Sequence, residues 1–285
     1  MTRWLRRAAG TACWPALGAA VAAHVALAVL AVAEYASLGW LLHTGYDLAA
    51  VTLVAATAVV GLAASSWVAA RTAAGSRALR RLAVYHRRAL PPAVRSAAVA
   101  LGLAGRVEAV AAGEPFAVTC GLARPRILVS DGLAEALSPA ELGAVLAHER
   151  SHLTHRDPAR LLAARLLAAY GCYLPAASWM ADRVALNREL AADRAALAQA
   201  GRGELASALL KLAALPACPA VAAARPAGDP AGSLEARVAQ LEHGRPARPR
   251  LATSRALATA GGLAVLAGAG LCCAGLAAAI QGGTL

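Results

Sequence analysis

Apolar residues run almost without interruption through three stretches of the chain, residues 16–42, 48–70 and 256–280. Each is long enough for a helix to cross about 30 Å of hydrocarbon. A short HTGYD turn separates the first two, so together they predict a helical hairpin over residues 16–70. Between residues 107 and 129 the pattern changes. Val107 to Ala111 and Phe116 to Thr119 read as short strands, and Gly121 and Pro125 mark a turn before the β-rich run Ile127-Leu128-Val129. From Gly132 onward helical spacing takes over. A further apolar stretch, residues 161–181, contains Arg165 and Pro175, which favours a buried or membrane-surface helical pair over a full crossing. Pro and Gly cluster at 216–232 as a loop, followed by a short amphipathic helix from Leu234 to Leu241.

Composition places these elements in lipid. Hydrophobic residues make up 59% of the 285 and charged ones only 15%, outside the soluble balance. The apolar residues are chiefly small or aliphatic, with a single Phe, and suit closely packed membrane helices. The fold class expected is a mostly α membrane protein, with helical transmembrane segments and an α+β cytoplasmic domain. A cleaved signal peptide does not account for the first run, which is too long and is followed at once by a second. Within that run, His24 is expected to pack inside the bundle and Glu34 to lie at the interface.

The formal charge of +12 does not point to nucleic acid, because the arginines flank apolar stretches and no aromatic-lined basic groove pattern accompanies them. Arg3, Arg6 and Arg7 precede the first span, Arg71, Arg77, Arg80, Arg81, Arg87 and Arg88 follow the second, and Arg245, Arg248, Arg250 and Arg255 precede the third. Positive charge collects on the cytoplasmic side. The expected domains are therefore a cytoplasmic N-terminus (1–15), the hairpin (16–70), a cytoplasmic domain (71–255), a C-terminal span (256–280) and an outer tail (281–285). The six cysteines show no CxxC or other metal spacing, and Cys272 and Cys273 in an apolar run read as buried thiols.

Chemistry concentrates on one predicted helix. Ser138-Pro139-Ala140-Glu141 is a capping box with proline at the first helical position, and Leu142, Val145, Leu146 and Leu153 mark a core face. Asp157-Pro158 ends that helix and offers an N-cap to the next. His148 and His152, four residues apart, put two imidazoles on one face within reach of a single ion. Glu149, one step round, is placed to take a proton from the attacking water rather than to bind metal. The chemistry expected is that of Zn2+. A third ligand must come from elsewhere. His155 is about 10 Å along the axis from His148 by helical rise, too far to share the ion. Glu189, on a later helix, is the better choice, and Asp193 one turn beyond it is placed to accept a hydrogen bond from a ligand imidazole. Arg188, Arg194 and Tyr170 are alternatives for stabilising an oxyanion, with no choice among them possible from sequence.

With these residues in place, the chain resembles the BlaR/MecR-type peptidase family, gluzincins related to membrane receptors that signal β-lactam exposure and to HtpX-type proteases. The matching string runs from Phe116 to Leu197: Gly121 and Pro125 before Ile127, Leu137-Ser138 with Glu141-Leu142, His148-Glu149-Arg150-Ser151-His152 with Asp157-Pro158, then Pro175, then Glu189-Leu190-Ala191 with Asp193-Arg194. The resemblance implies an α+β zincin-like cytoplasmic metalloprotease domain held between membrane helices, with His148, His152 and Glu189 as zinc ligands and Glu149 as general base. It also implies regulated proteolysis, commonly of a BlaI/MecI-type repressor. Two departures stand out. Ala192 occupies a position where the family often has Cys. The sensor domain of the receptor members is not expected after the last span, and no SxxK string is present to acylate a β-lactam.

The function expected is membrane-bound, zinc-dependent endopeptidase activity on a protein or peptide substrate, probing the cytosol from the lipid bilayer and not binding nucleic acid directly. Membrane-protein quality control or prenyl-protein processing is the enzymatic alternative. A non-catalytic zinc-binding transducer is the third reading, and an intact Glu149 argues against it.

Overall fold

The structure is a computed structural model, and it describes residues 21–26, 28–30, 45–216, 218–224, 230–244 and 251–281. The outer parts of the first apolar run, Glu34, His43 and Thr44 of the predicted HTGYD turn, the arginines at 3, 6, 7, 245, 248 and 250, and the last four residues of the chain lie outside the described residues, while Gly45, Tyr46 and Asp47 of that turn are helical. The elements are α1 (Gly45–Tyr85), β1 (Arg87–Arg88), α2 (Pro92–Ala100), β2 (Val107–Val110), β3 (Ala117–Cys120), β4 (Arg126–Ser130), α3 (Asp131–Ala136), α4 (Pro139–His155), α5 (Asp157–Tyr170), α6 (Pro175–Ala200), α7 (Arg202–Ala214), α8 (Pro219–Ala224), α9 (Pro230–His243) and α10 (Thr253–Gln281). The chain divides into two compact units, one of residues 1–68, 165–180 and 250–285, the other of 69–164 and 181–249.

Among its described residues the first unit is helical except at 171–174 and 251–252. Two helices among the described residues are long and apolar enough to cross a membrane, over Ala49–Tyr85 and Thr253–Cys273. Helix α1 continues past residue 70, where the predicted span ends, because its Ala- and Arg-rich continuation favours helix and contains no breaker. Small residues allow close approach. A Cβ on Gly61 would lie 2.5 Å from the main-chain oxygen of Tyr170, so no other residue fits there unless α5 moves away. Ser65 Oγ lies 2.8 and 3.1 Å from the carbonyl oxygens of Gly61 and Leu166 and donates its one hydrogen to either. The apolar segment 161–181 is a helix pair joined at residues 171–174, and Pro175 opens α6. His24 does pack inside: Nε2 is 3.3 Å from Thr57 Oγ1 and Nδ1 is 3.0 Å from Tyr170 Oη.

The second unit is built on a four-stranded mixed sheet in the order β1-β2-β4-β3. Strands β2 and β4 are parallel, while β1 on β2 and β3 on β4 are antiparallel. Side chains alternate across a strand, so central β4 supplies both cores. Ile127 and Val129 join Val94 and Ala98 of α2, Leu133 of α3 and Leu142, Val145 and Leu146 of α4. Leu128 faces the other way, with Leu79, Val110, Phe116 and Val221. The short segment 216–232, expected as loop, includes helix α8, because Pro219 occupies a first helical position and an Ala-rich run follows.

Helix α4 begins at the predicted capping box. Ser138 accepts from the Glu141 N–H, and Glu141 accepts from the Ser138 N–H at 2.7 Å. It ends on Arg156, which takes left-handed angles of φ 52 and ψ 43. The next helix, α5, begins at the following residue, Asp157.

Candidate metal centre

The turn of helix between His148 and His152 brings both imidazoles into a buried position, edge to face with centroids 4.8 Å apart. Their Nε2 atoms are 3.1 Å from each other. Glu189, from α6, completes the group: Oε2 lies 3.5 Å from His148 Nε2 and Oε1 lies 3.5 Å from His152 Nε2. One ligand atom from each of the three residues falls within 4.8 Å of the others.

The far side of each ring explains why these nitrogens face inward. His148 Nδ1 is 2.9 Å from Asp193 Oδ1, and His152 Nδ1 is 2.9 Å from Asp157 Oδ2. A carboxylate can only accept, so each Nδ1 carries the hydrogen and donates it. In neutral rings both Nε2 lone pairs then converge on a point that Glu189 also faces. Three acceptors with no donor between them are the donor set of a cation, and two imidazoles with a carboxylate suit zinc. The residues present therefore fit the metal.

Burial opposes charge on His148, but hydrogen bonds to Asp193 and Glu189 outweigh it and raise its pKa to about 9. Burial likewise works against ionised Glu189, yet the His148 hydrogen bond and the charges of both histidines hold it well below the usual carboxylate range. Asp193 is fully buried and is also held below its ordinary value, with His148 and Arg237 overcoming the burial.

Glu149 is buried beside this group and is tied to the edge strand β3. Thr119 Oγ1 is 2.7 Å from Glu149 Oε2 and 3.0 Å from the Glu149 main-chain oxygen. Since the hydroxyl has one hydrogen, it donates to one of these at a time. Oε1 is left as the other proton-accepting atom.

The four residues read from spacing, His148, His152, Glu189 and Asp193, are thus brought together, with Glu149 adjacent in sequence. His155 is exposed, and its Nδ1 is 2.8 Å from the carbonyl of Ser151. Ala192 is fully buried and outside the ligand group. Of the alternatives for an oxyanion, Arg194 donates to Gln240 Oε1 at 2.9 Å, Arg188 Nη1 is 3.8 Å from Asp157 Oδ1, and Tyr170 faces His24 in the first unit.

Three contributors escaped the sequence reading. Thr119 carried no motif. Asp157 was read only as a helix boundary, although lying five residues past a ligand histidine was a usable signal. Arg237 of α9 had none: its Nε and Nη2 donate to Asp193 Oδ2 and Oδ1 at 2.8 and 2.7 Å, and Nη1 is 3.6 Å from Glu189 Oε2.

Comparison with known proteins gives two matches. The family described as BlaR1 peptidase M56 matches residues 33–241. "Protease HtpX homolog 2" of Methanosarcina mazei is 50% identical over 48 residues, which are 17% of this chain and 16% of that protein, so the match spans about a sixth of the relative. No solved structure matches.

Proposed function

The chain belongs to the BlaR1 peptidase M56 family, and from that membership we propose that it is a membrane-held, zinc-dependent endopeptidase whose ligands are His148, His152 and Glu189. The observation that carries this reading is the convergence of three acceptor groups on one point, each histidine backed by its own carboxylate. When bound, zinc supplies a Lewis acid that polarises a peptide carbonyl and acidifies water. Glu149 is the general base: its Oε1 takes the proton of the attacking water while Thr119 holds Oε2, and the same carboxyl returns the proton to the leaving amine. Asp193 and Asp157 keep the two imidazoles in the tautomer that leaves Nε2 free.

In this proposal the arginine clusters orient the chain, with residues 1–15 and 71–255 cytoplasmic, 16–70 and 256–280 in the bilayer and 281–285 outside. The substrate is a cytosolic protein, with a repressor of the BlaI/MecI type the best fit to the family. The local identity with an HtpX homologue supports a second reading, in which the substrates are membrane proteins undergoing quality control.

Replacing Glu149 with Gln removes the base and leaves the three ligands in place. We expect zinc content to be kept and cleavage, of the chain itself or of a cellular protein followed by proteomics, to fall by at least about a hundredfold. Wild-type cleavage by that variant overturns the metalloprotease mechanism. A fragment from a DNA-binding repressor supports the first substrate reading, and fragments from membrane proteins support the second.

A further inference from the structure

We infer that Arg237 is a positioning residue of the metal centre: its guanidinium fixes Asp193, and through it the tautomer of His148, so that metal retention depends on α9, a helix that supplies no ligand. The inference rests on the metal-centre reading above and extends it beyond the ligands.

Helix α6 puts Glu189 and Asp193 one turn apart on the same face, where like charges repel. Asp193 is completely buried, and a buried carboxylate needs full compensation to remain ionised. One imidazole N–H satisfies a single lone pair of Oδ1. Arg237 supplies the rest through two parallel hydrogen bonds, Nε to Oδ2 and Nη2 to Oδ1, the arrangement a planar guanidinium forms and an ammonium cannot. With both oxygens held, the carboxylate cannot turn away from His148 Nδ1.

The guanidinium is itself anchored. Three residues on, Gln240 donates from Nε2 to the Leu190 carbonyl at 3.0 Å and accepts from Arg194 at 2.9 Å. Next to it, Leu241 is buried with Ala144 and Ala147 of α4 and Ala196 of α6. Helix α9 therefore grips α6 within the Glu189–Asp193 turn, at Leu190, and just beyond it, at Arg194 and Ala196, and Arg237 is the side chain through which that grip reaches the ligands.

One effect opposes the claim. Arg237 Nη1 lies 3.6 Å from Glu189 Oε2, so its charge repels a cation and competes for that oxygen. Lysine separates the two effects, because it keeps the charge and loses the fork. The test uses the full-length chain in lipid nanodiscs. Zinc affinity is measured by competition with a chelator, and the ligand field by the visible spectrum of the cobalt-substituted protein. We expect Arg237→Lys to weaken zinc by about 10- to 100-fold and to alter the cobalt spectrum. Asp193→Asn should do the same, and the double variant should lose no more than Asp193→Asn alone, because both changes act on one link. Val238→Ala, an exposed apolar change on α9 that removes no hydrogen bond, should keep affinity within about threefold, well short of the loss from removing a ligand's hydrogen-bond partner.

Wild-type affinity in Arg237→Lys, additive losses in the double variant, or a loss in Val238→Ala as large as that in Arg237→Lys would overturn the positioning role. Failure of the wild-type chain to bind zinc at all counts instead against the reading of the site, and is seen before any variant is compared.

Discussion

Glu149 depends on a residue 30 positions away in sequence. The Thr119 hydroxyl, 2.7 Å from Glu149 Oε2, limits the carboxylate to one orientation and leaves Oε1 for the proton. Replacing Thr119 with Val removes that hydrogen bond and leaves the ligands untouched. The expected outcome is a fall in kcat of about tenfold, the worth of one hydrogen bond to a charged group, with KM and zinc content unchanged. Thr119→Ser should restore most of the rate. Steady-state kinetics of zinc-loaded protein check this, and a wild-type kcat in Thr119→Val contradicts it. The same site shows what residue spacing can reveal. His148, Glu149 and His152 lie on one helix, so helical geometry relates them directly, and Glu189 with Asp193 repeats that logic on a second helix. Thr119, Asp157 and Arg237 act through contacts between elements, and no periodicity records those.

At the scale of the element, α4 is held at its start as firmly as at its active turn. Glu141 closes the capping box with Ser138 and also accepts from Lys211, at 2.8 Å, and from Ser207, both on α7. Lys211, then Ser207 and the Ser138 N–H, lower the Glu141 pKa from 4.5 to about 2. A carboxylate with a lowered pKa in the folded state contributes its full stability above pH 4.5, and that contribution is lost as pH falls through 2. We therefore expect Glu141→Gln to lower the Tm of the metal-free protein at neutral pH, and to reduce the loss of Tm that the wild type shows between pH 4.5 and 2. Parallel acid-limb curves for the two proteins contradict this account. The capping box was legible because it is local, four residues with a fixed geometry. Strands β2, β3 and β4 emerged within a residue or so of their predicted ends, since alternation and turn residues bound them on both sides. The length of α1 did not emerge, because arginines after residue 70 end a hydrophobic span without ending a helix. Helix α8 was hidden by prolines that open helices as well as break them.

The whole molecule joins two compact units of different composition. One holds the long apolar helices, and the other holds the sheet and the ligand group. Membership of a family of membrane peptidases gives this division a purpose, and the proposed function assigns peptide hydrolysis to the second unit. The central claim is that His148, His152 and Glu189 form a zinc centre, and elemental analysis of the purified full-length chain tests it most directly. After dialysis against a weak chelator, the wild type should retain a single equivalent of zinc per chain, whereas Glu189→Gln, which weakens one ligand without disturbing either histidine, should retain far less. A wild type that loses its zinc under those conditions, or a Glu189→Gln variant that keeps it as well as the wild type does, would contradict the account.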